Sequence, residues 1–482
     1  MNRFLRNLSR PVTVSLLIVV PASAAFGQRT ILERNVRAGL EFLAGDALQG
    51  RASATNYERI AAEYIGSQFR QFGLAPAGDA NRSGAKTFVQ RVPLDVFAYT
   101  EAPTLRASSG GSVHVWQHGR DLLASFLTAP RTSGGLQVID GGGTPSKGAV
   151  VVIKLPDDVD RQKRGEMIAR AYAAEAAAVV LPESGANRQA RESGNIAPLQ
   201  LPVRIHGEAS SPGRPAQRPF VAVHLRRDAF EQLAALPAGT RVEFGGATLP
   251  DKAAASWNAV GVLQGADPKA SDEAIILSAH LDHLGLGPPV DGDAIYNGAD
   301  DDASGCIAVL ELARVLASGP RPRRTIYFVC FGGEEKGGYG SRYFLQRPPV
   351  PLPRIVANIN FEMLGRPDPK VRPGVLWLTG YDRSTLGPEL ARRGARLVAD
   401  PHPEMNFFQR SDNYALALRG VVAHTVSSFG LHTDYHRPGD EAAKIDFPFL
   451  TRSLNALAPP IRWLAQSSFR PSWIKGRAPR RD

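Results

Sequence analysis

Hydrophobic and polar positions follow two rhythms along the chain. At 56–72 apolar residues recur at Ile60, Ala61, Tyr64, Ile65, Phe69 and Phe72. That is the spacing of an amphipathic helix, and Gly73 stands where a stop is expected. The whole stretch from residue 31 to about 94 reads as helical. From about 100 to 249 the texture changes. Short β-like runs at 149–153, 177–181 and 220–225 alternate with Gly, Pro and Ser clusters, and a helical run at 161–176 separates the first two. From Trp257 onward strand and helix alternate: strands at 259–263, 274–279, 325–331 and 355–361, helices at 307–316 and 341–346. This order predicts an α/β fold, a mixed, mostly parallel sheet flanked by helices. The middle stretch predicts an inserted, smaller, β-rich α/β unit that shapes access rather than performing chemistry.

Composition changes this picture little. The chain has 482 residues, 43% hydrophobic and 21% charged, enough to bury a core and to form two or three domains. The formal charge of +11 includes Arg3, Arg6 and Arg10 near the N-terminus and several arginines after Arg470. No basic stripe with interleaved aromatics exists, so nucleic acid is not an expected partner. Residues 1–24 read as a signal peptide, with a basic start, an apolar core at 12–20 and the small-residue site Ala22-Ser23-Ala24. That core is too short to span a bilayer and no later run is long enough, so stable membrane insertion is not expected. A periplasmic or secreted location follows. The cysteines, Cys306 and Cys330, read as small buried hydrophobes on a helix start and in a strand. The stretch 469–482 reads as a flexible basic tail.

Candidate chemistry gathers where strands meet loops. His280 and Asp282 close the 274–279 run. Residues i and i+2 on a strand point the same way, and a ligating imidazole commonly gives its other N–H to a carboxylate. That makes His280 a ligand and Asp282 the group that orients it. Asp300, Asp301 and Asp302 stand before the 307–316 helix. Asp301 is the best candidate to bridge two metals, because a carboxylate has two oxygens to share, while at least one neighbour reads as a helix cap. Glu334 and Glu335 follow two glycines at a strand end and can supply one ligand and one general base. Glu362 closes the 355–361 run, and the segment 432–436 supplies a last imidazole. The remaining histidines, His283 among them, read as surface or core residues. Mixed imidazole and carboxylate donors suit zinc, with cobalt or manganese as alternatives.

Together these segments resemble the co-catalytic zinc aminopeptidase family of the Vibrio and Streptomyces aminopeptidases and aminopeptidase Y. Residues 43–51 (LAGDALQGR), 61–65, 72–78 and 257–261 resemble that family's N-terminal and strand signatures, and the motifs from His280 to His436 occur in its order. The resemblance implies two zinc ions per chain, one held by His280 and Glu362, the other by Glu335 and His436, with Asp301 bridging. It implies Glu334 as general base, Tyr435 as a group that polarises the scissile carbonyl, and a cis peptide between Asp301 and Asp302. It departs from the family at Glu362, where many members carry Asp, and at Asn413, where histidine is common. Residues 147–153 and 173–181 resemble a protease-associated domain. The implied organisation is a catalytic domain at 25–100 and 251–468 with a protease-associated insert at 101–250.

The implied activity is removal of N-terminal residues from peptides with a free N-terminus. A carboxypeptidase, another amide hydrolase or a cyclase on the same site stays open, as does a non-catalytic, receptor-like binding protein. Side-chain preference and oligomeric state have no signal in the sequence.

Overall fold

The computed structural model describes residues 30–156, 159–194, 204–207, 219–250 and 254–480. The expected signal segment, 1–24, lies outside the described residues.

A ten-stranded sheet positions the candidate site. Its strands are β1 (Ala75–Pro76), β2 (Val89–Asp95), β3 (Arg204–Ile205), β4 (Ala254–Leu263), β5 (Ala274–His280), β6 (Thr325–Phe331), β7 (Ile355–Phe361), β8 (Leu376–Leu378), β9 (Leu397–Ala399) and β10 (Ala423–Ser427). They lie in the order β3-β2-β4-β6-β5-β7-β10-β8-β9, with β1 beside β4. The four strands β6, β5, β7 and β10 are parallel. β2, β4 and β8 join antiparallel. The sheet is thus parallel at its centre and more evenly mixed at its flanks than the sequence suggests. β5, β6 and β7 are buried along their whole length, which is why they read as continuous apolar runs.

Helices α1 (Glu33–Leu43), α2 (Asn56–Gln71), α3 (Gly305–Ala317), α4 (Tyr339–Gln346), α5 (Asn413–Ala417) and α6 (Phe447–Gln466) pack around this sheet. Alternate side chains of a strand face opposite sides. Ile275, Leu277 and Ala279 pack in one core with residues of α1, α2, α3 and α6. Ala274 and Ile276 pack in another with Phe344 of α4 and Leu416 of α5. The even-numbered polar residues of β5 and β7 continue this second side in a buried ladder with Ser411, Asn413 and Thr425. Asn358 donates to Ser278, Ser278 to Asn360, Asn360 to Ser411 and Thr425, and Thr425 to Asn413. The ladder satisfies polar groups that would otherwise destabilise the core, and His280 and Glu362 share its parity.

A second, eight-stranded sheet is built between Thr104 and Gly245. It contains strands Val150–Lys154, Ala178–Pro182 and Val221–Leu225 and the helix Arg161–Ala173, each within a few residues of the runs read from the sequence. The two-residue β3 leaves this stretch to pair with β2.

Two expectations are corrected. The stretch 73–94 is not helical. Helix α2 ends at Gln71, Gly73 takes a left-handed φ of 80°, and 89–95 pairs with β4 instead, which suits the prolines at 76 and 93. The described part of the tail, 469–480, is docked rather than free. Arg470 reaches Glu273 at 2.6 Å, Trp473 donates to Gly420, and Ser472 and Thr385 exchange hydrogen bonds. The aromatic ring of Trp473 packs against Phe408 and His424, so burial and pairing outweigh the basic composition.

Candidate metal centre

The loops that follow β5, β6 and β7 and the turn before α3 meet at one edge of the sheet, with the 428–440 loop closing over them. The three aspartates of the turn divide the work. Asp302 accepts the amides of His280, Gly305 and Met363, so it caps α3 and ties it to the ends of β5 and β7. A Cβ on Gly305 would lie 2.4 Å from the Asp302 carboxylate, so only glycine permits this approach. Asp300 accepts the Gly365 amide at 2.6 Å and contacts His432 Nε2 at 3.0 Å. Asp301 alone turns to the centre. Its Oδ1 lies 3.0 Å from His280 Nε2, and its Oδ2 lies 3.2 Å from His436 Nε2. The Asp301–Asp302 peptide is cis. The Asp440 carboxylate holds the turn from beneath by accepting the amides of Asp300 and Asp301.

Glu335 Oε2 lies 3.3 Å from His436 Nε2. Glu334 and Glu362 lie half-buried beside them, and both act electrostatically on His280. Tyr435 stacks on the His436 ring at 3.9 Å between centroids. The structure therefore brings together all eight residues singled out from the sequence.

One histidine was misread. His283, taken as a surface or core residue, is fully buried in the centre, with Nδ1 2.8 Å from Glu335 Oε1 and 3.9 Å from Asp301 Oδ2. His283, Asp301 and Glu335 have donor atoms within 4.8 Å of one another, close enough to hold a metal ion. Its place three residues after His280, in His-x-Asp-His, is the signal that could have found it.

The expected role of Asp282 also changes in detail. His280 Nδ1 lies 3.1 Å from the Asp282 main-chain carbonyl and 3.8 Å from its carboxylate, so the carbonyl is the nearer partner. The carboxylate instead accepts the amides of Glu334 and Glu335 and the hydroxyl of Ser53.

Charges in the centre are strongly displaced. Burial alone would raise the Asp301 carboxyl, but bonds from His280 and His436 outweigh it and hold the group well below its usual range. Burial and the Asp301 charge push Glu335 up, and His283 and His436 pull it down to about 2. Burial raises Glu362 to about 7 and Glu334 well above its usual value. Burial also raises Asp412, a neighbour the sequence reading passed over, to about 7, with Ser341 pulling it back.

The donor set fits a metal. His283 Nε2 and Glu362 Oε2 are buried without a hydrogen-bond partner, and His280 Nε2 and His283 Nδ1 face only the carboxylates of Asp301 and Glu335, at 3.0 and 2.8 Å, without a well-aligned hydrogen bond. Buried polar atoms are nearly always paired, and imidazole with carboxylate suits zinc or a similar divalent ion. Beside the centre, Met363, Trp377, Phe407, Phe429 and Tyr435 form the aromatic and apolar part of a narrow pocket whose remaining wall is polar, with Glu362, Arg410 and several Ser and Thr hydroxyls. Arg410 Nη2 donates to the Tyr435 hydroxyl at 3.4 Å.

Residues 258–459 match the model of Peptidase family M28. Leupeptin-inactivating enzyme 1 of Streptomyces exfoliatus is 30% identical over 124 residues, 25% of this chain and 26% of that protein. A probable zinc metalloprotease of Pyricularia oryzae is 39% identical over 108 residues, 22% of this chain and 21% of that protein. The matches therefore span about a quarter or less of each relative's length. Two solved structures are similar in fold. The aminopeptidase from Aneurinibacillus sp. strain AM-1 has a TM-score of 0.55 at 19% identity, covering 93% of this chain and 97% of that one. The zinc aminopeptidase BSAP from Bacillus subtilis has a TM-score of 0.53 at 18% identity, covering 92% and 97%.

Proposed function

We propose that this chain, which carries a Peptidase family M28 domain at 258–459, is a zinc-dependent aminopeptidase with two ions per chain. The observation that carries the reading is the use of both Asp301 oxygens, Oδ1 by His280 and Oδ2 by His436. One carboxylate placed between two imidazoles is the arrangement a bridging ligand needs. His280 and Glu362 would hold one ion, Glu335 and His436 the other, with Asp301 between them. His283 stands close enough to Glu335 to supply a further donor or to orient that carboxylate.

Zinc bound there supplies Lewis-acid chemistry, an activated water and a polarised carbonyl. The side chains supply the rest. The Glu334 carboxylate takes the water's proton and returns it to the departing amine. Its burial favours the protonated form, so it can hold that proton between the two transfers. The Asp282 carboxylate fixes the start of the 334–335 loop through both amides. Tyr435 places its hydroxyl at the pocket to donate to the scissile carbonyl oxygen. In their ionised forms the carboxylates of Asp301, Glu335 and Glu362 would favour a substrate α-ammonium beside the centre. The aromatic pocket suits an apolar first side chain.

Export through residues 1–24 belongs to this proposal and is supported by the sequence pattern, as is the identity of the 101–250 insert as a protease-associated domain. Among the described residues no helix is long and apolar enough to cross a membrane.

Arg410 at the pocket supports one second reading, a carboxypeptidase that pairs this guanidinium with a substrate carboxylate. A release assay on aminoacyl-nitroanilides beside N-acetylated and C-terminally blocked peptides, with and without chelator, separates the two. Chelator-sensitive cleavage of free-amine substrates alone supports the aminopeptidase. Cleavage that survives N-acetylation and needs a free carboxylate replaces it with the carboxypeptidase.

A further inference from the structure

We infer that Arg51 is a positioning residue for the metal ligands, acting through main-chain carbonyls of the two loops that carry them. The inference rests on the metallopeptidase reading above, and Arg51 lies far outside the matched segment 258–459.

Arg51 is 1% exposed, one of the largest fully buried side chains in the molecule. Its guanidinium makes four hydrogen bonds, all to main-chain carbonyls. Nε donates to Leu281 at 2.9 Å, Nη1 to Leu43 and Asn297 at 2.6 Å each, and Nη2 to Gly298 at 3.0 Å. Leu281 stands between His280 and Asp282. Asn297 and Gly298 lead straight into Asp300 and Asp301. One planar, rigid fork therefore sets the distance between the His280 loop and the aspartate turn, the two segments whose side chains meet at Asp301 Oδ1. A flexible ammonium lacks that geometry.

The strap that bears Arg51 is fitted to the same loop. The Arg51 carbonyl accepts the His283 amide at 3.1 Å, Ala52 bridges to His283, and the Ser53 hydroxyl donates to Asp282 Oδ2 at 2.5 Å. Glu58 anchors the strap's far end by accepting from the Ala54 amide at 2.7 Å and the Ser256 hydroxyl at 2.6 Å. Gly50 lets the strap in. It has a φ of +67°, and a Cβ there would lie 2.3 Å from the Tyr296 carbonyl oxygen. Burying a guanidinium is costly, and burial does lower the Arg51 pKa. The negative charges of Asp282, Asp301 and Asp440 oppose that shift, so the cation also offsets the carboxylates of the centre.

Arg51→Met and Arg51→Lys in the full chain test the assignment. Zinc affinity is measured by chelator competition, and thermal unfolding is followed by circular dichroism with and without zinc. The expected result is a folded Arg51→Lys whose zinc affinity falls about tenfold to a hundredfold. Its zinc-loaded midpoint falls further than its metal-free one. A folded variant with unchanged zinc affinity overturns the assignment. So does an equal loss of stability with and without zinc, and so does failure of both variants to fold, since each makes Arg51 merely structural. A wild-type chain that takes up no zinc overturns the metallopeptidase reading itself, which is a separate and distinguishable outcome.

Discussion

The amide of Glu334 donates to the Asp282 carboxylate at 3.0 Å, so a residue at the end of one central strand fixes the loop that leaves its neighbour. Asp282 also receives the Glu335 amide and the Ser53 hydroxyl. Replacing it with Asn presents an amide N–H₂ to groups that are themselves donors. Asp282→Asn is expected to lower kcat about tenfold to a hundredfold with a smaller change in KM, the usual size for a residue supporting a metal site. Steady-state kinetics with parallel metal analysis checks this; an unchanged kcat refutes it.

Glu334→Gln keeps the size of the side chain and removes its ability to accept a proton. Turnover should fall by roughly 10²–10⁴-fold, while zinc content stays at the wild-type level. Activity within a few fold of wild type would take the base role away from Glu334.

Asp301→Ala should lose zinc and stability together. The substitution removes the shared partner of the buried His280 and the half-exposed His436, and metal binding is coupled to folding at such sites. Elemental analysis and thermal unfolding read both effects. A stable variant with full zinc content would contradict the bridging assignment.

Asp412 gives a pH prediction for the metal-free chain. Its folded pKa is raised to about 7 by burial, above an unfolded value near ~3.9. A raised folded value means that the native state binds the proton more tightly than the unfolded state does. Its stability contribution is present below about pH 4 and is lost as pH rises through about 7. Asp412→Asn should remove that loss. The variant is then more stable than wild type at pH 8, on the order of a few kcal/mol, with the gap closing toward pH 4. Urea unfolding at the two pH values measures it; a gap that does not change with pH excludes Asp412 as the source.

Much of this architecture was legible because burial leaves a direct trace in composition. The strands β5, β6 and β7 are covered on both faces and spell continuous apolar runs, and each run ends at a polar residue of the centre: His280, the Gly-Gly-Glu-Glu turn, or Glu362. The division of labour among Asp300, Asp301 and Asp302 was legible only in part. Asp301 was named as the inward carboxylate and a neighbour as a cap, but the bonds with Asp440 and Gly365 that hold the turn involve residues far along the chain. His283 was passed over because its partner Glu335 is brought to it only by strand pairing, and its place three residues after His280 was the one local sign of its role. The docking of Trp473 and Arg470 was hidden by composition, since a Pro- and Arg-containing end looks solvated until its acceptors, Gly420 and Glu273, are in view. A mixed sheet was expected, but which strands run antiparallel was not legible, because pairing direction leaves no mark in a short apolar run.

The pairing of β2 with β4 has a consequence for how the chain accommodates its middle third. Ala254 lies opposite Leu94 and Ala259 opposite Val89, neighbours in an antiparallel ladder. The chain therefore leaves the sheet and returns to it at adjacent points, as if through the tip of a hairpin. Lengthening such a tip costs chain entropy that grows only with the logarithm of its length. A whole eight-stranded body can occupy that position without moving the strands that carry His280, Glu334 and Glu362. Exchange of one such body for another would leave those strands in register, so the insert can diversify independently of the residues gathered at the candidate centre.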